Sequence, residues 1–397
     1  MAANDLTFNQ IATILTSIAD QATGVDHLTP TDTASFVSLA TTTLKAGYDP
    51  IMNALSVVLS DTIFSIRPYQ AKFSIVTRDK ATYGLHTRKI NYCDKPISDD
   101  DAYDSTALVD GQSVDHYTIN KPHVIQTNFY GTNVFKDYVT IFENQLDVAF
   151  SGVEQFRSFI AGVLQNIDDK FTAMVEYVNR MTIVNMIGGT LQLNGSNVFH
   201  LITDYKTETG NTTITSSNYK SEAEFPYFAK WVVAKIEQVS NLFTERSSMF
   251  HSNFTNATIM RHTPKEMQKA CFYSPALTFM RTNMLADAFN EGDLKMVDHE
   301  EVNYWQSIET PTTISVRPSW IDADGKIVEL DAGDPDVETN ALFGVLFDVE
   351  ALGHTLFDER MVSTPLNASG LYTNLYFHHN SQWWNDFSEN FAVFLLD

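Results

Sequence analysis

The sequence predicts an α+β protein with one dominant helix, an early projecting hairpin and a set of short mixed strands. Three observations carry that class. Residues 151–189 place large apolar side chains at steps of three and four, which is one stripe along a helix. Residues 64–127 are rich in β-formers and alternate in part, as in His86, Arg88, Ile90 and Tyr92 and then Tyr117 and Ile119, the period-2 pattern of strands. After the last predicted helix come short β-like runs, among them "LKMV", "EVNYW", "TTISVR", "KIVEL" and "ALFGVLFDV".

In chain order, residues 1–63 read as short helices. "TPTDTASFVSLATTTLKAG" offers Thr31 or Asp32 as an N-cap and Gly47 as a stop, and Pro50 suits a first helical position in "DPIMNALSVVLSDTIF". Residues 64–127 read as two long strands joined by the polar, acidic tip "PISDDDAYDSTALVDGQSV". Few large apolar residues run continuously there, so this limb projects from the core. The long helix takes Ser151 as N-cap, Glu154 at the capping-box position and Gly188-Gly189 as its end. About 38 residues at a rise of 1.5 Å make a rod of roughly 57 Å, against an average helix of about 11–12 residues.

Residues 190–224, rich in Thr, Asn, Ser and Gly, read as strands and loops. Helices follow in "PYFAKWVVAKIEQVSNLFTER", in "TPKEMQKACF" with Thr263 as N-cap, and in "SPALTFMRTNMLADAFN"; "ATIMRH" reads as a short strand. The chain closes on "LYTNLYFHH", a turn around "NSQWWND" and then "SENFAVFLL". Tyr372, Asn374 and Tyr376 alternate there with Leu371, Leu375 and Phe377, as in a half-buried sheet.

The chain of 397 residues carries a formal charge of −23. Binding DNA through a broad basic face is excluded by that sign, because such binding requires Lys and Arg to displace counterions from phosphates. An anionic membrane would repel the chain as well. Cys93 and Cys271 form neither a disulfide framework nor a metal spacing. The N-terminal run lacks the basic region of a signal peptide, and no uncharged apolar run approaches the ~18 residues of a membrane span. A reducing cytoplasm is the expected setting.

Motifs for chemistry are weak. His378 and His379 are adjacent, so on a strand they point to opposite faces and do not readily ligate one metal. "DADGKIVELDAGDPD" has its glycine and glutamate at the wrong positions for a calcium loop. Asp324-Gly325 between β-formers is instead a hairpin turn. "VDHEEVNYW" clusters Asp298, His299, Glu300 and Glu301 without a metalloprotease spacing, and no nucleophile elbow, phosphate loop or dinucleotide fingerprint is present. A metal-dependent hydrolase using His378, His379, Asp298 and His299 is the enzyme alternative, and a virion or cell-surface binding protein is a further one. No cofactor is expected.

The order of parts resembles the tailed-phage major capsid protein fold of the Hong Kong phage type. That fold has an N-terminal arm, an extended two-stranded loop, a long spine helix, and peripheral and axial domains. The closing stretch from Leu342, with its aromatic "GLYTNLYFHH" strand and "ENFAVFLL", is similar in layout to the end of major capsid proteins of short-tailed phages. "SPALTFMRTNMLADAFN" is similar to the helix entering their axial domain, and "SGVEQFRSFIAGVLQNIDDKF" to their spine. Gly370, Leu371, Tyr372, Asn374, Tyr376 and His378 carry over as a structural motif, and Trp383 and Trp384 are expected to pack against core or a neighbour.

The resemblance implies an arm at 1–63, an extended loop at 64–127 and a peripheral domain at 128–225. It further implies an axial domain at 226–337 and a return to the peripheral domain at 338–397. It implies self-assembly through pentamers and hexamers into an icosahedral head, with portal and scaffolding proteins as partners. DNA is enclosed without sequence-specific binding, no membrane is involved, and the shell assembles in the host cytoplasm. The extended loop would lie across an adjacent subunit. Its first limb, 64–95, holds seven Lys and Arg against two aspartates, and 96–116 holds six aspartates and no Lys or Arg. Arg78, Lys80, Arg88 and Lys89, with Asp99, Asp100 and Asp101, are therefore the candidate intersubunit contacts.

Overall fold

The computed structural model describes residues 7–62, 72–78, 86–93, 110–111, 117, 119, 123–130, 133–193, 195–221, 224–254, 258–285 and 298–397. Its helices are α1 (Phe8–Thr23), α2 (Thr33–Leu44), α3 (Tyr48–Thr62), α4 (Glu143–Ala149), α5 (Val153–Leu193), α6 (Leu201–Thr209), α7 (Phe225–Thr244) and α8 (Ser274–Leu285). The strands begin with β1 (Thr77–Arg78), β2 (His86–Cys93), β3 (His123–Tyr130), β4 (Asn133–Phe142), β5 (Val198–His200), β6 (Gln268–Tyr273) and β7 (His299–Val302). They continue with β8 (Ile314–Val316), β9 (Ser319–Ile321), β10 (Ile327–Glu329), β11 (Val337–Thr339), β12 (Leu342–Asp348), β13 (Leu352–Ser363), β14 (Tyr372–Asn385) and β15 (Phe391–Leu395).

The chain divides into two compact units, each built from three discontinuous segments. The first comprises Met1–Tyr83, Gly131–Asn179 and His354–Trp383. Its sheet has the order β1-β13-β14-β4, with β1 parallel to β13 and β14 antiparallel to β4. One face of β14 and β4 is buried with the N-terminal helices and the start of α5. Ile11, Leu15, Ile18, Phe36 and Leu55 share a core there with Phe150, Phe156, Ile167, Leu375 and Phe377. Asp32 caps α2, its carboxylate accepting from the Ser35 amide at 2.7 Å.

The second unit comprises Gly84–Tyr130, Arg180–Gly353 and Trp384–Asp397. A five-stranded sheet, β5-β15-β12-β6-β7, forms its centre. Every residue of β12 and β15 is buried, which is why "LFGVLFD" and "FAVFL" read as continuous apolar runs rather than alternating ones. Phe228, Val232, Ile236 and Phe243 of α7 pack into the same core as Phe272, Phe343 and Phe394. The Asp324-Gly325 turn joins β9 to β10 antiparallel, as expected.

Several expectations are corrected. Helix α5 does not end at Gly188-Gly189; it runs on to Leu193. The glycines serve close packing instead. A Cβ on Gly188 would lie 2.5 Å from Val316 Cγ1, and one on Gly189 would lie 2.5 Å from Phe387 Cζ. Ser151 does not cap α5, because its hydroxyl donates to the Val148 carbonyl at 2.6 Å and the helix starts at Val153. "TPKEMQKACF" is a single 3-10 turn followed by strand β6, because Ala270, Cys271 and Phe272 are buried between β12 and β7. Residues 190–224 contain α6 beside the expected short strand.

The turn around "NSQWWND" is displaced. β14 runs unbroken through both tryptophans to Asn385, held by pairing as far as Ser381 with Asn133. The chain turns instead at Asp386, whose carboxylate accepts from the Ser388 amide at 2.9 Å. "LKMV" lies outside the described residues.

Candidate functional site

The enzyme candidates separate. His379 points into the first unit's core, 2% exposed, with Glu359 Oε1 at 3.4 Å from its Nδ1 and the Phe171 ring 5.1 Å away. His378 points to the other face of β14 and stacks on Tyr376. Asp298 and His299 belong to the second unit. Asp298 is ion-paired with Lys269 at 2.6 Å, and Arg281 bridges His299 and Glu301. Among the described residues no group of three His, Cys, Asp or Glu side chains could hold a metal ion. Cys271 is buried, and burial pushes its thiol well up, away from the thiolate a nucleophile needs.

The calcium-like loop holds an arginine. The Arg317 guanidinium donates to the carbonyls of Asp331 (2.5 Å), Asp334 (3.0 Å) and Leu330 (3.3 Å) and to the Asp336 carboxylate (3.0 Å). The converging oxygens are thus satisfied by a side-chain cation. Among the described residues no helix is long and apolar enough to cross a membrane.

The terminal aromatic motif is a strand with two faces. Thr373, Leu375, Phe377, His379 and Ser381 are buried, while Tyr372, Asn374, Tyr376 and His378 alternate with them on the more open face. On that face Tyr372 meets Phe142 and Tyr376 meets Tyr138, with ring centroids 5.9 and 6.1 Å apart, and Lys136 lies over the Tyr376 ring. Tyr138 is 60% exposed and Phe142 is 47% exposed, so this ladder is far more open than a core strand. Gly370 precedes Leu371 in a turn that Asn367 closes by accepting from the Ser369 and Gly370 amides. Trp383 stacks on Phe135. Trp384 lies against Gly353, where a Cβ would come within 2.5 Å of the indole, and against Phe129 of β3.

The charged limb is also two-faced. β2 and β3 pair antiparallel, with Arg88 opposite Asn128 and Ile90 opposite Gln126. Arg88, Ile90, Val124, Gln126 and Asn128 are exposed. Lys89 points the other way and finds partners in its own chain. Its ammonium lies 2.5 Å from Glu389, 3.1 Å from Asp386 and 3.2 Å from Glu350. Arg261 reaches the same Glu389 oxygen at 2.8 Å. Burial alone would lower the Lys89 ammonium, but Asp386 and Glu389 outweigh it and hold the group above its ordinary value. Burial pushes Glu389 up to about 7, against the pull of Lys89 and Arg261.

Arg78 sits in β1, opposite Thr355. Lys80, Asp99, Asp100 and Asp101 lie outside the described residues. Sequence reasoning missed Arg261, Glu350, Asp386 and Glu389. The available signal was Asp386 and Glu389 standing as the carboxylates between the Trp383-Trp384 pair and the apolar run "FAVFLL".

A family model described as Phi29-like phage major capsid protein matches residues 12–395. Among solved structures, the chain is similar to one in the capsid structure of Staphylococcus phage Andhra, with a TM-score of 0.53, 11% identity, and 84% of this chain and 86% of that one covered. It is also similar to a chain in the structure of the head fiber and inner core protein gp22 of native bacteriophage P68, with a TM-score of 0.54, 12% identity, and 82% and 85% covered. At such identity these two likenesses speak for the fold. No curated protein matches the sequence.

Proposed function

The chain belongs to the Phi29-like phage major capsid protein family, and from that premise we propose how its parts serve a shell. It is a structural protein of the virion capsid, not an enzyme, and its copies assemble with one another. The copies meet in pentamers and hexamers. Residues 1–63 act as an arm, 64–127 as the loop that reaches a neighbour, 128–225 and 338–397 as the peripheral domain, and 226–337 as the axial domain. Portal and scaffolding proteins guide closure in the host cytoplasm. The charge of −23 suits a container whose wall does not hold packaged DNA by electrostatic attraction to its phosphates.

The observation that carries the docking role is the two-faced limb: β2 and β3 turn Arg88, Ile90 and Val124 outward while their other face is held by the chain's own residues. Arg78, Lys80 and Arg88 meet acidic surface on the adjacent subunit, and Asp99, Asp100 and Asp101 meet basic surface there. Each exposed pair is worth only about 0–1 kcal/mol, so the effect is collective. It is screened over a Debye length of about 10 Å at 0.1 M salt.

The test is assembly rate by light scattering, with closed shells counted by negative-stain microscopy. The rate should fall as salt rises. Changing Arg78, Lys80 and Arg88 together to Gln should lower it similarly at low salt, in a subunit that folds normally. A triple variant that assembles at the wild-type rate at every salt concentration would overturn the electrostatic docking. Lys89 stays intact in that variant, which separates this test from the next one.

A further inference from the structure

We propose that the cage around Lys89 is a proton-linked lock on the root of the extended loop, closed while the cage holds a bound proton and loosened as that proton leaves. The geometry carries the lock. Lys89 is one point, beside the Phe129–Trp384 contact, where the β2–β3 strands are held by the rest of their unit, and three carboxylate groups from two separate turns converge on its single nitrogen within 3.2 Å. Asp386 and Glu389 are buried, at 1% and 5% exposure, and Glu350 stands at the rim. Arg261 is the second cation, donating to the Ser388 carbonyl from Nε and reaching Glu389 from Nη2.

Lys89, Arg261, Glu350, Asp386 and Glu389 thus set three negative groups against two positive ones. His251 and Asp322 are further titratable groups on the cavity that reaches Glu389, and His251 does not supply the missing positive charge. Burial holds its imidazole below the ordinary histidine value, and its ring nitrogens are engaged with the Ile259 carbonyl and Asn390. One proton on the cage balances it, and Glu389 is the group that burial prepares to take it. A cavity of about 270 Å3 reaches Glu389 beside His251, Asn197 and Asp322, room enough for water to deliver the proton.

The sign follows from linkage. In the closed lock burial, the largest cause, raises Glu389 to about 7 against the smaller pull of Lys89, so once the limb lifts and water enters, relief of burial outweighs the loss of Lys89 and the value falls toward 4.5. Opening therefore releases a proton between those values. Its equilibrium constant rises roughly tenfold per pH unit from about pH 5 to 7 and levels off above that. Alkali loosens the limb, and acid fastens it.

The experiment is hydrogen–deuterium exchange on the full chain as unassembled subunit from pH 5 to 8, corrected for the intrinsic pH dependence of exchange. It reads peptides covering 86–93 and 123–130. Wild type should lose protection there in step with pH and then plateau. Glu389→Gln, a neutral isostere, should be flat across the range and better protected than wild type at pH 8. Lys89→Met should be poorly protected at every pH. A wild-type profile that is flat after correction would overturn the lock, and so would a Glu389→Gln slope equal to the wild type's. The wild-type profile decides the matter even if Lys89→Met folds poorly.

Discussion

Phe156 ties the N-terminal helices to the start of the long helix. Its ring is fully buried and meets Phe36 of α2 at 5.7 Å and Phe150 at 5.2 Å, edge-on in both cases. Truncation to Ala removes a phenyl group from a packed core and leaves a cavity, which costs about 3–5 kcal/mol. Each of the two edge-on pairs contributes about 0.5–1.5 kcal/mol beyond area burial, so Phe156→Leu, which fills much of the space, should still cost roughly 1–3 kcal/mol. Against a total stability of about 5–15 kcal/mol, the Ala change endangers the attachment of the N-terminal helices. The measurement is amide exchange in α1 to α3 of the unassembled subunit, since a two-unit chain does not promise one global transition. Protection there should drop by the full cost in the Ala variant. A loss below about 1 kcal/mol would refute the packing argument, because it would mean that the three rings do not share one close-packed core.

The long helix offers a paired test with opposite signs. Gly162 is exposed with nothing near its missing Cβ, whereas a Cβ on Gly189 would collide with the Phe387 ring at 2.5 Å. Gly162→Ala should stabilise by up to about 1 kcal/mol. Gly189→Ala should destabilise, because overpacking costs about 1–3 kcal/mol and exceeds the propensity gain; equal urea midpoints for the two variants would contradict this. His354 is buried, its Nδ1 bonded to Asn179 Oδ1 at 2.9 Å, and burial, aided by His379, lowers it to about 4. Its neutral form is therefore favoured in the folded state. The stability it contributes is present above pH 6.5 and is lost as pH falls toward 4, up to about 3 kcal/mol. Chemical denaturation of wild type and His354→Asn over pH 4–8 should show a steeper acid loss in the wild type, and parallel curves would count against the assignment.

Much of the fold was legible because several elements announce themselves locally. Within the stripe Val153, Phe156, Ile167 and Val178 are buried, whereas Phe159 and Phe171 are half-buried and Met181 is exposed, and the alternation from Tyr372 to His378 matches the two faces of β14. Three of the failures share one cause. Gly188-Gly189, Thr263-Pro264 and the run from Asn380 to Asp386 are strong local signals, and each was overridden by a contact distant in sequence. The glycines meet Val316 and Phe387. The Thr263 hydroxyl donates to Asp348 at 2.7 Å instead of capping a helix. Ser381 continues its ladder with Asn133. Local propensity is worth at most about 1 kcal/mol per residue, proline in a helix interior aside, so one such packing or pairing contact is enough to reverse it.

The charged limb shows the same limit more sharply. Its sign could be counted from sequence, but not how much of that charge is displayed. Arg88 and Lys89 are neighbours with the same charge, and strand alternation sends one to solvent and the other into carboxylates some 260 to 300 positions away along the chain. A cation neutralised within its own subunit cannot also attract a neighbour. The charge the limb displays is therefore smaller than its residue count, because Lys89 is ion-paired within its own chain. Composition bounds the strength of assembly electrostatics from above, and strand register decides how much of that bound is realised.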